Sequence, residues 1–184
     1  MDDQVRRAGG GGQGAGSRKH PVRAGFRLRG GSLTAAGQCL CGAVEFEIDV
    51  PARWAWHDHS AAGRRAHGGA YATYVGSWRS RFRVTRGQAA ITRFEDTAAR
   101  AARSFCARCG TPLTYERSHS PQMVNIPRAL FAGRTGREPR YHIAIEEAPE
   151  WAWRGEPLVP LKGFPGVVWE RPGRKKRGGS GGLF

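Results

Sequence analysis

The sequence predicts a mainly β domain made of short strands and tight turns. Apolar and polar residues alternate along several short segments, which is the period of half-buried strands. The chain contains 27 glycines and 11 prolines among its 184 residues, a composition that argues against a helical bundle or a coiled coil. This length favours one domain with tails over two full domains.

The clearest strand spans residues 44–50, in which Phe46 and Ile48 share one face with two valines and acidic residues occupy the other. Further strands are predicted at residues 70–75, 81–85, 89–94, 113–115, 123–126 and 141–145. Glycine, proline, aspartate and serine fill the gaps, as short turns require. The helix-favouring segment 97–103 is rich in alanine and arginine but short, so it is predicted as either a helix or a loop.

Glycine and arginine dominate both ends of the chain. Residues 1–34 are predicted to be a disordered tail, because they cannot bury enough apolar surface to offset the loss of chain entropy. Residues 171–184 are predicted to be a second tail, basic and rich in glycine. Residues 35–170 remain as the folded domain.

Positive charge is concentrated in these two tails. The formal net charge of the chain is +15, and residues 1–34 and 171–184 contribute +5 each. Flexible basic segments bind nucleic acid without sequence preference by displacing counterions from phosphates, so nucleic acid is one expected partner. Arginine outnumbers lysine 26 to 4, however, a bias that a GC-rich genome also produces, so the charge alone does not require such a partner.

The sequence shows no membrane or export signal. No apolar run reaches the roughly 18 residues that a membrane span needs, and the N-terminal segment lacks an apolar signal-peptide region. We therefore expect a soluble cytoplasmic protein with no membrane partner. In that reducing compartment the four cysteines are expected to be metal ligands rather than disulfides.

The cysteines form two closely spaced pairs, Cys39 with Cys41 and Cys106 with Cys109, and a glycine follows each pair. Such spacing lets two sulfurs of one turn reach a metal at about 2.3 Å. Four thiolates complete a tetrahedral zinc shell without an open position, which predicts one structural zinc ion. The alternatives are two disulfides or four buried thiols.

Three segments together resemble one known family. GQCLCGAVEFEIDVP at 37–51, SFCARCGTPLTYE at 104–116 and PRYHIAIEEAPEW at 139–151 are similar to the glutathione-dependent formaldehyde-activating enzyme family, which also includes centromere protein V. The resemblance covers residues 36–155. It implies a β-tent-like fold of several short coiled sheets stapled by zinc on the four cysteines, so that residues 35–170 become a zinc-binding domain. It further implies carbon–sulfur lyase chemistry on the glutathione–formaldehyde adduct at a second, catalytic zinc.

The chain departs from the family at this second zinc. The family holds it with three cysteines in a Cys-His-Cys-Ser-x-Cys-Arg motif, and here Asp58, Ser60 and Gly63 stand at the cysteine positions. Four other positions are in register with the motif: His59, Arg64, Gly68 and Tyr71. Asp58 offers one carboxylate, Ser60 a poor ligand and Gly63 none, so a second zinc is doubtful and catalysis is expected to be weakened or lost. The alternative is an active lyase with a remodelled site of Asp58 and His57, His59 or His67.

Other candidates have two interpretations each. Arg64 and Arg65 are candidates to bind the carboxylates of glutathione, or else are solvated surface charges. His142 matches a family histidine and is expected to be structural. The aromatic residues near the loop line a pocket or, as we favour, belong to the core: Trp54, Trp56, Tyr71, Tyr74 and Trp78.

Three functions therefore remain. The first is a zinc-dependent lyase acting on a glutathione adduct. The second is a zinc-stabilised binding module that keeps the fold without the catalytic metal, and the third is nucleic-acid association through the basic tails. The replaced ligands at residues 58–63 argue against the first.

Overall fold

A computed structural model of the chain describes residues 26–29, 32–152 and 158–170. Thirteen strands occur in these ranges: β1 (Phe26–Arg29), β2 (Ser32–Gln38), β3 (Glu45–Asp49), β4 (Trp54–Asp58), β5 (Ala72–Trp78), β6 (Phe82–Arg86), β7 (Ile91–Asp96), β8 (Ala101–Cys106), β9 (Pro112–Arg117), β10 (Met123–Pro127), β11 (Tyr141–Ile143), β12 (Leu158–Pro160) and β13 (Val167–Glu170). The same ranges contain one α-helix, α1 (Ala61–His67), and 3-10 turns at Arg79–Arg81, Gln88–Ala90, Arg128–Leu130 and Ile145–Glu147. No helix in the described part of the chain is long and apolar enough to cross a membrane.

The strands form two sheets. The smaller has the order β1-β2-β3-β6, and all of its pairs are antiparallel. The larger has the order β12-β13-β11-β4-β5-β10-β9-β8-β7. Its one parallel pair joins β4 to β11 and places His57 opposite His142 and Asp58 opposite Ile143. Strand β11 therefore lies beside β4, the strand that leads into residues 58–63, where the family's cysteine ligands are replaced.

One apolar core joins the two sheets. Its buried members are Ala35, Cys39, Val44, Phe46, Ile48, Ala52, Val75, Cys106, Leu113, Val124, Ile126 and Phe131. Phe46 packs its ring against Phe82 and Phe131, at centroid distances of 5.6 and 5.4 Å. Gly37 makes room for this ring, since a Cβ at residue 37 would lie 2.5 Å from Phe46 Cε2. Two of the four cysteines therefore belong to the core itself.

The predicted mainly β fold with more than one sheet is confirmed. Segments predicted by alternation, such as 44–50 and 123–126, correspond to β3 and β10. For residues 97–103, the loop alternative is confirmed at 97–100, which form a turn, but the helix is wrong and Ala101–Cys106 is a strand. Strand β8 pairs with β7 on one side and β9 on the other, and this tertiary pairing overrides the helical preference of alanine and arginine.

The predicted boundary of the N-terminal tail at residue 34 also differs from the structure. Strand β1 begins at Phe26 and pairs with β2, and β2 pairs in turn with β3. Thr34 and Ala35 are buried, so this hairpin is anchored to the core rather than lying in a tail. The disorder predicted for residues 1–25 and 171–184 lies outside the described residues.

Candidate functional site

The four cysteines converge on one point although their pairs are far apart in sequence. Their sulfur atoms all lie within 4.8 Å of one another, and within the described ranges this is the one group of three or more potential ligands that does so. Cys39 Sγ is 3.6 Å from Cys41 Sγ, and Cys41 Sγ is 3.9 Å from Cys106 Sγ. A tetrahedral zinc with sulfur at about 2.3 Å has neighbouring sulfurs about 3.8 Å apart, so the four residues fit this ion.

Each pair of cysteines is carried by a turn that a glycine closes. The amide of Gly42 donates to the carbonyl of Cys39 at 3.0 Å, and the amide of Gly110 donates to the carbonyl of Cys106 at 2.8 Å. Both glycines have a φ of +70°, a backbone conformation that glycine adopts without steric cost. The glycine after each pair is therefore required by the turn that aims both sulfurs at one centre.

Hydrogen bonds link the two turns to each other and to the sheets. Thr111 is central, because its hydroxyl accepts from the amide of Leu40 at 3.2 Å and lies 3.1 Å from Cys109 Sγ. The amide of Val44 donates to Cys39 Sγ at 3.3 Å. These contacts help to orient the sulfurs of both turns towards one centre.

The thiols differ in how readily they ionise. Burial raises the pKa of Cys39 to about 11. Burial acts in the same direction on Cys109, but hydrogen bonds from Thr111 and from the backbone of Cys41 outweigh it and lower the pKa of Cys109 to about 6. Cys109 therefore ionises more readily than the buried Cys39.

Residues 58–63, which align with the family's second-zinc motif, form the capped start of helix α1. Ser60 is the N-cap of α1, and its hydroxyl accepts from the amide of Gly63 at 3.0 Å. The amide of Ser60 donates to Asp58 Oδ1 at 2.9 Å. Both polar side chains thus satisfy backbone donors at the start of α1, the local role for which serine and aspartate are preferred.

The three replaced positions nevertheless converge in space. A Cβ at Gly63 would lie 3.1 Å from Asp58 Cγ, 3.2 Å from Asp58 Oδ2 and 3.1 Å from Ser60 Oγ. Asp58 is only 3% exposed. The three positions are therefore arranged as a common ligand set would be, but the Asp58 carboxylate occupies the space between them.

The nearby histidines divide between two sides of strand β4. His57 and Asp58 are successive residues of that strand, so their side chains point to opposite faces. His59 Nε2 is 2.8 Å from His142 Nδ1, and the rings of His57 and His142 are 4.7 Å apart. Tyr71 packs against the rings of His57 and His59, at centroid distances of 5.0 and 5.2 Å. These rings form one aromatic cluster.

His67 lies on the same side of strand β4 as Asp58 and takes part in a separate hydrogen-bond network. Its Nε2 is 2.8 Å from the hydroxyl of Tyr74, which also accepts from Arg103 at 3.1 Å. Burial, assisted by the charge of Arg103, lowers the pKa of His67 below 6.5, while Asp58 opposes that shift. Burial raises the pKa of Tyr74 to about 12. Tyr74 is fully buried and belongs to the interior, as favoured from the sequence.

The two candidate arginines have separate surroundings. The Arg64 guanidinium donates to the carbonyl of Glu147 at 2.6 Å and to the carbonyl of His59. It therefore ties helix α1 to the 3-10 turn Ile145–Glu147. Arg65, on the same helix, is exposed.

A cavity of about 310 Å³ opens on the same face of the larger sheet as Trp56. Its lining residues are Trp54, Trp56, Arg117, Ser120, Met123, Asn125, Tyr141, Ile143, Leu161, Phe164 and Val167. Trp54 and Trp56 thus line a pocket, against the core position favoured from the sequence, and Trp54 is 40% exposed. The remaining lining residues were not found by sequence reasoning, because they are assembled by strand register rather than by a motif.

Comparisons with known proteins show which part of the chain is similar to a known family. No curated protein matches the chain significantly. One similar solved structure is the crystal structure of a Rhodobacter sphaeroides protein, a Northeast Structural Genomics target, with 27% identity over 56% of this chain and 91% of that chain and a TM-score of 0.46. The family model described as glutathione-dependent formaldehyde-activating enzyme matches residues 34–147, more than half of the chain. With its paired cysteines at the expected positions, the chain belongs to this family.

Proposed function

We propose that this protein is a one-zinc member of the family, in which the four-cysteine site is structural and lyase chemistry at a second zinc is weakened or lost. The observation that carries the proposal is the buried carboxylate of Asp58, which lies close to where a side chain at residue 63 would begin. Lewis-acid catalysis needs a firmly held metal with an open coordination position. One carboxylate, one hydroxyl and one glycine do not supply three strong donors.

We assign a structural role to the four-cysteine site because of its ligands and its position in the fold. Four soft thiolates favour zinc and close its coordination shell. The site joins the turn between β2 and β3 to the turn between β8 and β9, and Cys41 and Cys106 are 65 residues apart. Such a link would stabilise the contact between the two sheets. The cytoplasm is the compartment we propose, because its reducing conditions keep the thiols available for the metal.

Zinc content and lyase assays on the purified full-length protein test the proposal. We expect one zinc per chain and negligible consumption of the glutathione–formaldehyde adduct. The triple variant Asp58→Cys, Ser60→Cys and Gly63→Cys should bind two, because it removes the carboxylate and supplies three thiolates at converging positions. Gly63→Cys alone is the control, and it should stay at one zinc because the Asp58 carboxylate still fills the space.

The opposite result would be equally clear. If the unmodified protein binds two zinc ions and consumes the adduct, the proposal is wrong. A carboxylate–histidine site that includes Asp58 would then be the leading explanation. It would require His57 or His59 to leave the cluster with His142, or His67 to give up its contact with the Tyr74 hydroxyl.

A further inference from the structure

The cavity beside Trp56 lies against a part of the larger sheet that has a glycine in the middle of strand β5. Trp54 lies opposite Gly76 across β4 and β5, and Asn125 lies opposite Gly76 across β5 and β10. A Cβ at Gly76 would lie 3.3 Å from Met123 Cε and from the ring of Trp56. Gly76 therefore lets Met123 and Trp56 pack close to the backbone of β5, and both side chains line the cavity, a hollow among large side chains.

Aromatic and aliphatic side chains form the walls of the hollow. Tyr141 packs edge-on against Trp54 at a centroid distance of 6.0 Å. Leu161, Phe164 and Val167 line the hollow from the segment that contains β12 and β13, beyond residue 147 where the family match ends. Phe164 is 52% exposed, so a large aromatic side chain stands at the rim rather than in the core. The hollow is therefore partly built by a segment that the family match does not include.

One positive charge lines the hollow and no negative charge does. Arg117 is the one charged residue among the described lining side chains. Its Nε donates to the hydroxyl of Tyr115 at 3.2 Å, which holds the guanidinium in place. No carboxylate of the described residues forms an ion pair with it, whereas the neighbouring Glu116 pairs with Arg79 and Arg93. The remaining N–H groups of the Arg117 fork are suited to a carboxylate.

We propose that this hollow is a binding site for a small aromatic carboxylate. The flat ring would lie among Trp54, Trp56 and Phe164, and the carboxylate would be bound by Arg117. A volume of about 310 Å³ with an apolar lining and few polar groups is typical of small-molecule sites. A polar peptide would leave amide groups without partners against these walls. The proposal rests on the lining of the hollow and does not depend on the number of bound metal ions.

Calorimetric titration of the full-length protein with 2-naphthoate, 2-naphthylmethanol and 2-naphthylmethylamine tests the charge preference. We expect the carboxylate to bind about tenfold or more tightly than the alcohol, because hydrogen bonds to a charged group are the stronger ones. The amine should bind most weakly. Arg117→Gln should remove the advantage of the carboxylate and leave alcohol binding unchanged.

Two further variants test the location. Phe164→Ala should weaken the binding of the carboxylate and of the alcohol alike. Because Phe164 is exposed, this substitution should leave the fold intact. Gly76→Val should weaken both, because its side chain would push Met123 and Trp56 out of their positions in the lining, and a thermal melt verifies folding. Zinc content should be unchanged in every variant, which separates this test from that of the metal proposal.

Three outcomes would overturn the proposal. The first is equal binding of the amine and the carboxylate, and the second is unchanged carboxylate binding in Arg117→Gln. The third is no carboxylate binding together with a sedimentation coefficient that changes in Phe164→Ala, which would identify the hollow as a self-association face.

Discussion

Cys109 sits at the accessible edge of a sulfur cluster whose other side lies in the core, where Cys106 is fully buried. A structural zinc contributes on the order of 10 kcal/mol to folding, comparable with the whole stability of a small domain. We therefore expect Cys109→Ser to lose zinc and to unfold. Circular dichroism melts and zinc analysis measure both effects.

Arg108 provides the matched control for that substitution. It occupies the same turn, is exposed and is not a ligand, so Arg108→Ala should keep both the metal and the melting temperature. A cooperative melt of Cys109→Ser indistinguishable from that of the unmodified protein would falsify the structural role of the metal.

Gly37 is a second residue at which we predict the effect of a substitution on stability, because the core leaves no room there for a Cβ atom. A Cβ there would lie 2.5 Å from two ring atoms of Phe46 and 3.1 Å from the carbonyl oxygen of Leu130. Gly37→Ala should lower the free energy of unfolding by about 1–3 kcal/mol, since overpacking forces the ring from its position. Chemical denaturation measures the change. Gly69→Ala, whose Cβ would meet its nearest neighbour at 3.5 Å, should have little effect, and equal losses in the two variants would contradict the argument.

At the scale of elements, helix α1 contacts strand β5 through a titratable group. Burial lowers the pKa of His67 below the value of 6.5 that it has in the unfolded chain, and Arg103 contributes in the same direction. The unfolded state therefore binds more protons between these two pKa values, so the free energy of unfolding rises with pH through this window. Conversely, stability should be lost as the pH falls from about 6.5 through the folded-state pKa.

His67→Gln isolates this contribution, because glutamine keeps a polar partner for the Tyr74 hydroxyl without titrating. Urea denaturation at several pH values between about 5 and 7 should show a shallower slope of unfolding free energy in the variant. Identical slopes in both proteins would show that His67 does not couple to folding.

The elements also show where sequence reasoning succeeds and where it stops. Strand β3 was predictable because its apolar residues alternate and its register is local. Helix α1 was missed, although Ser60 at its N-cap and Gly68 at its C-cap, with φ of +64°, are the signals that such a helix shows. Seven residues give too little apolar periodicity to reveal it. Strand β8 was misjudged because its partners on both sides decide its conformation.

At the scale of the whole molecule, the spacing of the four cysteines predicted a cluster that the fold assembles, but not the hollow lined by Trp54 and Trp56. The cysteine pairs carry their own turn signals, so their convergence could be inferred without knowing the topology. The hollow depends on the registers of β4, β5 and β10, and a single sequence does not reveal these. The occupation of the second metal position by the Asp58 side chain likewise depends on the path of the loop in space.

The basic ends yield a prediction for the complete chain. If they associate with nucleic acid, Arg174, Lys175, Lys176 and Arg177 should contribute without sequence preference. Replacing these four residues by glutamine should lower the affinity for duplex DNA and the steepness of its salt dependence, because fewer counterions are displaced. Fluorescence anisotropy at several salt concentrations measures both.

The control for the charge experiment replaces four exposed arginines of the described domain, Arg65, Arg81, Arg108 and Arg134, by glutamine. These should matter much less if the tail makes the contacts. Equal losses in the two variants would show that binding follows net charge alone and would reject a special role of the C-terminal cluster.

The burial of Cys39 and Cys106 in the core that joins the two sheets has a kinetic consequence. Two of the four sulfurs are out of reach of a competing chelator as long as the sheets remain packed. Metal exchange therefore proceeds at the frequency with which the core opens, and added chelator should accelerate it only up to that limit. The residence time of the proposed zinc would then report how often the core opens, and destabilising a core residue that is not a ligand, such as Phe131, should shorten it.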